Sequence, residues 1–378
     1  QHIDTAKYLL VTNFNACLAQ LNDFFTEVEW LLNDKPARSF DYYYDQVVCT
    51  GELLSTCIIS HYLNEAGIQN IWLDVRDIIR TDDNFRDANI DWKLTEERTK
   101  LAVCSLQLTV SSRQSAVDSR QMTQENRESE DNEKPETRNV FLSQGFIGST
   151  DENESTTLGR EGSDYTAAIF ANILNAESLT IWKDVKGVMS ADPKQFPEAT
   201  LINELSFDEV IEMAYYGAQV IHPKTIKPLQ NKGIPLHVKC FLEPSLPGTL
   251  IYKKHIKNLP PIVIIKQNQA LMHLHSQDFS FVGEKPVSLL YEIFSKLKIK
   301  PNLIQTGAIS VQLCLDDRTD KIEQLASAAS NSFDVEIEKG LQLLTIRHFN
   351  DELLEKMLQQ KETVLLQQTK ETVQVVYR

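Results

Sequence analysis

Ser155-Thr156-Thr157-Leu158-Gly159-Arg160-Glu161-Gly162-Ser163-Asp164-Tyr165-Thr166-Ala167-Ala168 is followed, ten residues on, by Leu179-Thr180-Ile181-Trp182. The first stretch carries hydroxyl side chains, two glycines, an arginine and an aspartate, and leads into a helix expected from near Asp164 to Asn175. The second is a short apolar run that reads as a buried strand. Upstream, Val140 to Gly148 reads as a strand entering a glycine turn. Strand, helix and strand in succession imply a parallel sheet with helices on its faces.

The same stretch has the makings of an anion site. Glycines let the backbone approach a ligand closely, and a helix N-terminus presents free N–H groups with a partial positive charge. Arg160 can grip a carboxylate or phosphate with two parallel hydrogen bonds. The simpler alternative is that Ser163 or Asp164 only caps the helix.

Three further segments stand out. Trp182-Lys183-Asp184-Val185-Lys186-Gly187-Val188-Met189-Ser190-Ala191-Asp192-Pro193-Lys194 follows a strand end, where open α/β sheets place their ligands. Its lysines either meet a polyphosphate or sit solvated in an exposed loop. Cys49-Thr50-Gly51-Glu52-Leu53-Leu54-Ser55 reads as a strand end, a glycine and a helix start. There Glu52 either accepts from a substrate ammonium or simply favours the first helical turn. Gly217 to Thr225 places His222 before Pro223, in a turn ahead of a helix, where a structural histidine is the favoured reading.

Around these segments, residues 5–32 carry apolar side chains at helical spacing, residues 52–66 suggest another helix, and Ile71 to Val75 a strand. Ser111 to Glu136 is rich in Ser, Arg, Gln, Glu and Asn, so a disordered insertion is expected near 107–139. Beyond Leu259, strands are expected at 261–265, 270–275, 302–305, 309–315, 333–338, 341–347, 363–368 and 372–377. Helices are expected at 287–296, 321–329 and 350–360, which together suggest two small α+β units of ferredoxin-like type.

Composition sets the outer limits. The 378 residues carry a net charge of −15, which argues against nucleic acid or anionic membrane as the main partner. No apolar run approaches the roughly 18 residues of a membrane span. The N-terminus has no signal-peptide pattern and no initiator Met. The six cysteines form no CxxC pair, and no histidine lies at zinc-finger spacing from them. They read as reduced, mostly buried thiols of a cytoplasmic protein, with no metal site expected.

The four segments, in this order, resemble those of aspartate kinases of the amino-acid kinase superfamily. Gly51-Glu52-Leu53-Leu54-Ser55 is similar to the family's GExLS, and Thr157 to Thr166 to its TLGRGGSDYT, with Glu161 in place of a usual glycine. Asp184-Val185-Lys186-Gly187 with Asp192-Pro193-Lys194 resembles DVxGVxxxDPR, and Gly217 to Thr225 resembles GAKVLHPRT. Pro247-Gly248-Thr249-Leu250-Ile251 matches PGTLI. Residues 177–251 are most similar to the kinase half of fused aspartokinase–homoserine dehydrogenases, and the region from about 260 to tandem ACT regulatory domains.

The resemblance implies an α/β amino-acid-kinase sandwich over 1–255, N-terminally incomplete, and ACT domains over 256–378. It implies ATP and Mg²⁺ as cofactors, and transfer of the γ-phosphoryl to the side-chain carboxylate of L-aspartate, the first step towards lysine, threonine and methionine. Asp164 and Arg160 would be catalytic, with Glu52, Arg160, Ser163 and Thr157 holding substrate. Lys183, Asp184, Gly187, Met189 and Lys194 would line the nucleotide site. An ionised carboxylate needs no base, which fits a structural role for His222. Ser276, Gln277 and Asn302 would face a lysine or threonine effector, and a homodimer is expected. The family's Lys-Phe-Gly-Gly-Thr-Ser phosphate loop does not occur in these 378 residues. A non-catalytic, amino-acid-sensing relative therefore stands as the alternative.

Overall fold

The computed structural model describes residues 1–33, 35–103, 140–254, 256–278 and 281–378. The expected insertion at 107–139 lies outside them. Two compact units emerge: Gln1–Leu179 with Ile221–Leu236, and Thr180–Val220 with His237–Arg378.

The first unit opens with helices α1 (His2–Leu9), α2 (Phe14–Asn33) and α3 (Phe40–Glu65). Glu65, at the end of α3, accepts from the backbone N–H groups of Val11, Thr12 and Asn13. Those donors precede α2 and would otherwise lack partners, so one carboxylate closes the turn between α1 and α2. The Ser39 hydroxyl caps α3 by accepting from Tyr42 N–H. Asp45, Cys49, Leu53 and Cys57 recur every fourth residue and form the buried stripe of α3.

α3 thus begins a dozen residues before the helix expected at 52–66. Gly51 is not a strand end but lies inside the helix, with nothing within 4 Å of where its Cβ would stand. A mid-helix glycine costs about 1 kcal/mol, which the packed stripe on either side offsets.

Beyond α3 come β1 (Asn70–Leu73), a 3₁₀ turn (Val75–Asp77), α4 (residues 92–103), β2 (Val140–Ser143), β3 (Ile147–Ser149), β4 (Ser155–Thr157), α5 (Gly162–Ile173) and α7 (Pro223–Lys232). β1 and β2 pair in parallel, while β3 and β4 form an antiparallel ladder. Leu21, Leu53, Ile79, Ile147, Leu158 and Ile169 centre the core.

The second unit holds two sheets. β5 (Leu179–Lys183), β7 (Leu236–Cys240), β8 (Thr249–Tyr252) and β6 (Glu204–Ser206) lie side by side in that order, with α6 (Phe207–Tyr216) following β6. Hydrogen bonds from Leu179 N to Pro235 O and from Phe241 N to Lys183 O run β5 and β7 in the same direction, as strand–helix alternation predicts.

The C-terminal sheet has six strands in the order β10 (Leu303–Thr306), β11 (Ser310–Asp316), β9 (Ile262–Ser276), β12 (Phe333–Arg347), β14 (Thr372–Tyr377) and β13 (Thr363–Gln368). Helices α8 (Glu284–Leu297), α9 (Thr319–Ala329) and α10 (Asp351–Leu358) complete the region. Four of the expected strands are in fact two long ones. The breaks read near residues 268 and 340 are irregularities in continuous strands, with register shifts between Glu338 and Leu343. Asn268 (φ 53°) and Gly340 (φ 77°) absorb the distortion in left-handed conformations. Alternate residues of β9 face opposite ways: Ala270, Met272 and Leu274 pack on Leu290, Phe294, Ile322 and Leu325, while Leu271 packs on Leu341 and Leu343.

Candidate active site

In the first unit, the β3–β4 ladder delivers the chain into the Leu158–Gly162 loop and then α5. Gly159 sits at φ 76°, and a Cβ there would stand 2.6 Å from Asp87 Oδ1, so only glycine lets the loop pass Asp87. Glu161, at φ 56° and ψ 30°, is the N-cap of α5 and makes no side-chain capping bond. α5 begins at Gly162, so Ser163 and Asp164 lie within its first turn and neither is the cap. Asp164 there opposes the positive end of the helix dipole. Ser163 is exposed and lies against Gly145, whose Cβ would come within 2.9 Å of Ser163 Cα.

Thr157 is held from behind. Asp45, fully buried in α3, accepts from Thr157 N–H at 2.8 Å, Thr157 Oγ1–H at 2.9 Å and Arg86 N–H at 2.9 Å. Burial pushes the Asp45 carboxyl up against the pull of these three donors. The Thr157 hydroxyl, expected to face substrate, is buried and spent on Asp45. Its place is to fix the strand that presents Gly159 and Arg160. Asp45 itself was missed in the sequence, where no local pattern ties it to a residue more than a hundred positions away.

Arg160 is exposed, and its charge acts on His222 together with those of Glu161, Lys224 and Asp87. Within the first unit the structure thereby gathers Arg160 and Glu161 with His222 and Lys224 around one spot. His222 Nδ1 accepts from Lys224 N–H at 3.2 Å as the N-cap of α7, with Pro223 at the first helical position. Burial lowers the His222 pKa, and Glu161 partly offsets this. Lys224 pairs with Asp87. Glu52 is half-buried, and burial raises its carboxyl. Arg160, Glu161, Lys224 and Asp87 thus put charges of both signs around His222, a set that does not include Glu52.

In the second unit, Lys183 ends β5, and its Nζ donates to Val220 O at 3.1 Å. Asp184 and Lys186 are exposed in the loop that follows. Gly187 (φ 145°) leaves no room for a side chain, since a Cβ would stand 2.7 Å from both Leu201 Cδ1 and Thr249 Oγ1. The Thr249 hydroxyl accepts from Val188 N–H and donates to Ile202 O, locking the loop onto β8. Met189 bridges to Leu201, and Lys194 N–H donates to Asp192 Oδ1 in a turn. Phe241 and Leu242, 54% and 67% exposed, follow the end of the neighbouring strand β7. Phe241 N–H donates to Lys183 O, so this apolar surface borders the loop. The sequence reading did not pick it out.

The three effector candidates are not brought together within the chain. Ser276 and Gln277 lie at the end of β9, where Ser276 Oγ meets Asp278 at 2.7 Å and Gln277 Nε2 donates to Ser330 O at 3.1 Å. Phe279 and Ser280 of that turn lie outside the described residues. Asn302 sits beside Gln269, some seven residues back along β9, about 23 Å at 3.3 Å per residue. Its Nδ2 donates to Gln269 Oε1 and Asp316 Oδ1, and its Oδ1 accepts from Lys266 Nζ. Asn302 therefore joins strands here, and its amide is fully engaged.

The sequence pattern of the amino acid kinase family matches residues 11–240. Lysine-sensitive aspartokinase 3 of Escherichia coli (strain K12) is 33% identical over 316 residues, 80% of this chain and 62% of that protein. Aspartokinase 1, chloroplastic, of Arabidopsis thaliana is 31% identical over 277 residues, 72% of this chain and 43% of that protein. The chain thus spans less than two thirds of these relatives. The crystal structure of E. coli aspartokinase III in complex with aspartate and ADP (R-state) superposes with a TM-score of 0.73 at 27% identity, covering 98% of this chain and 80% of that one. The same enzyme in complex with lysine and aspartate (T-state) gives 0.72 at 27% identity, covering 97% and 79%. With its pattern matched across residues 11–240, the chain belongs to the amino acid kinase family.

Proposed function

We propose that this chain acts as an aspartate kinase, transferring the γ-phosphoryl of ATP to the side-chain carboxylate of L-aspartate to give 4-phospho-L-aspartate and ADP. The observation that carries the reading is the likeness, over 98% of the chain, to an aspartokinase holding aspartate and ADP. The charge pattern supports it. Arg160 takes the α-carboxylate of aspartate, and Glu52 its ammonium. Ser163 and Asp164 orient the phosphoryl acceptor at the start of α5, on the frame that Thr157 and Asp45 hold.

Lys183 and Lys194 meet the nucleotide phosphates, Gly187 gives the backbone clearance, and Met189 with Phe241 offers apolar surface to the base. The exposed Asp184 carboxylate is the hard oxygen donor that fits Mg²⁺, which when bound neutralises phosphate charge. The acceptor carboxylate is already ionised, so positioning and charge stabilisation supply the rate. Lysine is the effector we propose for the C-terminal sheet. β10 and β13 are its edges, open to strand pairing in a homodimer.

The test is ADP release coupled to a reporter, with this chain, Mg-ATP and L-aspartate. Aspartate-dependent release that falls at least about 100-fold in Arg160→Ala, the scale of one lost transition-state donor, is the expected result. No aspartate-dependent release from the folded chain overturns the proposal.

A further inference from the structure

Helices α2 and α3 pack through a seam of Leu21, Phe24, Leu53, Leu54 and Ile58. Inside it stand Cys17 of α2 and Cys57 of α3, 0% and 1% exposed, neither in a disulfide. His61 follows Cys57 by four residues, one helical turn, so both project from the same face of α3. One donor atom from each of Cys17, Cys57 and His61 lies within 4.8 Å of the other two. His61 Nε2 is 3.2 Å from Gln20 Oε1, and Gln20 stands one turn along α2 from Cys17.

We infer that Cys17, Cys57 and His61 form a binding site for a borderline-soft divalent metal of the zinc class, clamping α2 to α3. The donor set fits. Two sulfurs and an imidazole nitrogen are the ligands zinc takes, in tetrahedral geometry. Zn–S bonds of about 2.3 Å set two sulfurs about 3.8 Å apart, so the observed spacing needs a contraction of no more than about 1 Å.

The charge also fits. Each thiol gives up its proton on binding, and a divalent ion with two thiolates and a neutral imidazole is net neutral, the state an apolar seam tolerates. His61 is half-buried, so the fourth position opens on its side, to water. Gln20 is the outer partner that holds the ring. Sequence spacing hid the set, because Cys17 comes from another helix, forty residues before Cys57.

The test uses the full chain, reduced and stripped with a chelator, titrated with Co²⁺ as the optical probe and then with Zn²⁺. One equivalent of cobalt should bind with thiolate-to-cobalt charge-transfer absorption and be displaced by zinc. Cys57→Ser should remove about half of the band's intensity. His61→Asn, at a half-exposed position that spares the fold, should shift the ligand-field spectrum. Gln20→Ala should weaken binding about tenfold while keeping the band, which a mere packing role would not do. No charge-transfer band at saturating cobalt overturns the inference. So does a band of unchanged intensity in the Cys17→Ser/Cys57→Ser double variant.

Discussion

Arg347 closes a bidentate ion pair on Glu209, with Nε 2.6 Å from Oε1 and Nη2 2.8 Å from Oε2. Both side chains are 7% exposed. The third nitrogen, Nη1, reaches Glu212 Oε2 at 3.2 Å and Thr372 Oγ1 at 3.0 Å. Arg347 ends β12, and Glu209 lies in the first turn of α6, so the pair ties the C-terminal sheet to the helix that leads into the Gly217 segment. A buried pair is worth little against apolar side chains of equal volume, but removing one partner strands the other charge. Arg347→Met should cost about 3–5 kcal/mol in urea unfolding, and Arg347→Met/Glu209→Leu should recover most of that. Arg347→Lys should not rescue, because an ammonium cannot make the paired bonds.

The same pair predicts an acid limit. Burial by itself would raise the Glu209 carboxyl, but the hydrogen bonds and charges of Arg347 and, next, of His348 outweigh it and hold the pKa at about 2, below its ordinary 4.5. A depressed carboxyl contributes stability above its unfolded value and loses it as pH falls through the folded one. The contribution, on the order of 3 kcal/mol, should be intact above about pH 5 and fade towards pH 2. Urea midpoints of the chain and of Glu209→Gln should therefore converge on acidification. A gap independent of pH would refute this.

Asp45 should matter to the site without touching ligand. Asp45→Asn keeps the shape and, with its amide oxygen towards the Arg86 and Thr157 N–H groups, keeps two acceptor contacts, but it loses the charge and reverses the bond to the Thr157 hydroxyl. It should cost about 1–2 kcal/mol. If Thr157 only frames the loop, the KM for aspartate should rise more than kcat falls, and Thr157→Val should behave the same way. A fall in kcat with KM unchanged would instead put the Thr157 hydroxyl on the reacting groups.

How far the sequence carried depended on distance along the chain. The turn-to-helix grammar around Gly159 and Asp164, the β5 strand and the final hairpin (363–368 and 372–377) were legible because local residues determine them. Glu52 was misplaced into a first turn because Gly51 looked like punctuation, although burial of Cys49, Leu53 and Cys57 carries the helix through it. The partners of Asn302 were illegible, because the strand register that sets it beside Gln269 and Asp316 is not written in any local pattern. Asp45, Arg347 and the Cys17–Cys57–His61 group were illegible for the same reason, since each works through partners tens of residues or more away.

Glu161 predicts a gain. It holds φ 56° where the resemblance expects glycine, and its Oε2 is buried with no hydrogen-bond partner among the described residues. A left-handed conformation costs a non-glycine residue about 1–2 kcal/mol. Glu161→Gly should raise stability by about 1 kcal/mol after glycine's greater freedom in the unfolded chain is allowed for. A lower urea midpoint would mean that the Glu161 carboxylate contributes more, through His222, than its backbone strain costs.

His222 separates structure from chemistry. As N-cap of α7 it should be replaceable by asparagine, whose side-chain oxygen can accept from the same N–H, whereas His222→Ala should cost about 1 kcal/mol. A general base would lose about 10²–10⁴ in rate. Aspartate-dependent ADP release within about tenfold of the parent in His222→Asn is the expected result, because an ionised acceptor needs no proton removed. The pH dependence runs opposite to that of Glu209 in origin but not in sign. Burial lowers the His222 pKa below its ordinary 6.5, with Glu161 and Asp87 opposing and Lys224 and Arg160 reinforcing the shift. Protonation therefore costs more in the folded chain than in the unfolded one, so the penalty is absent well above pH 6.5 and grows as pH falls below it. His222→Asn should remove that slope between about pH 7 and pH 5. An unchanged slope would assign it to another group.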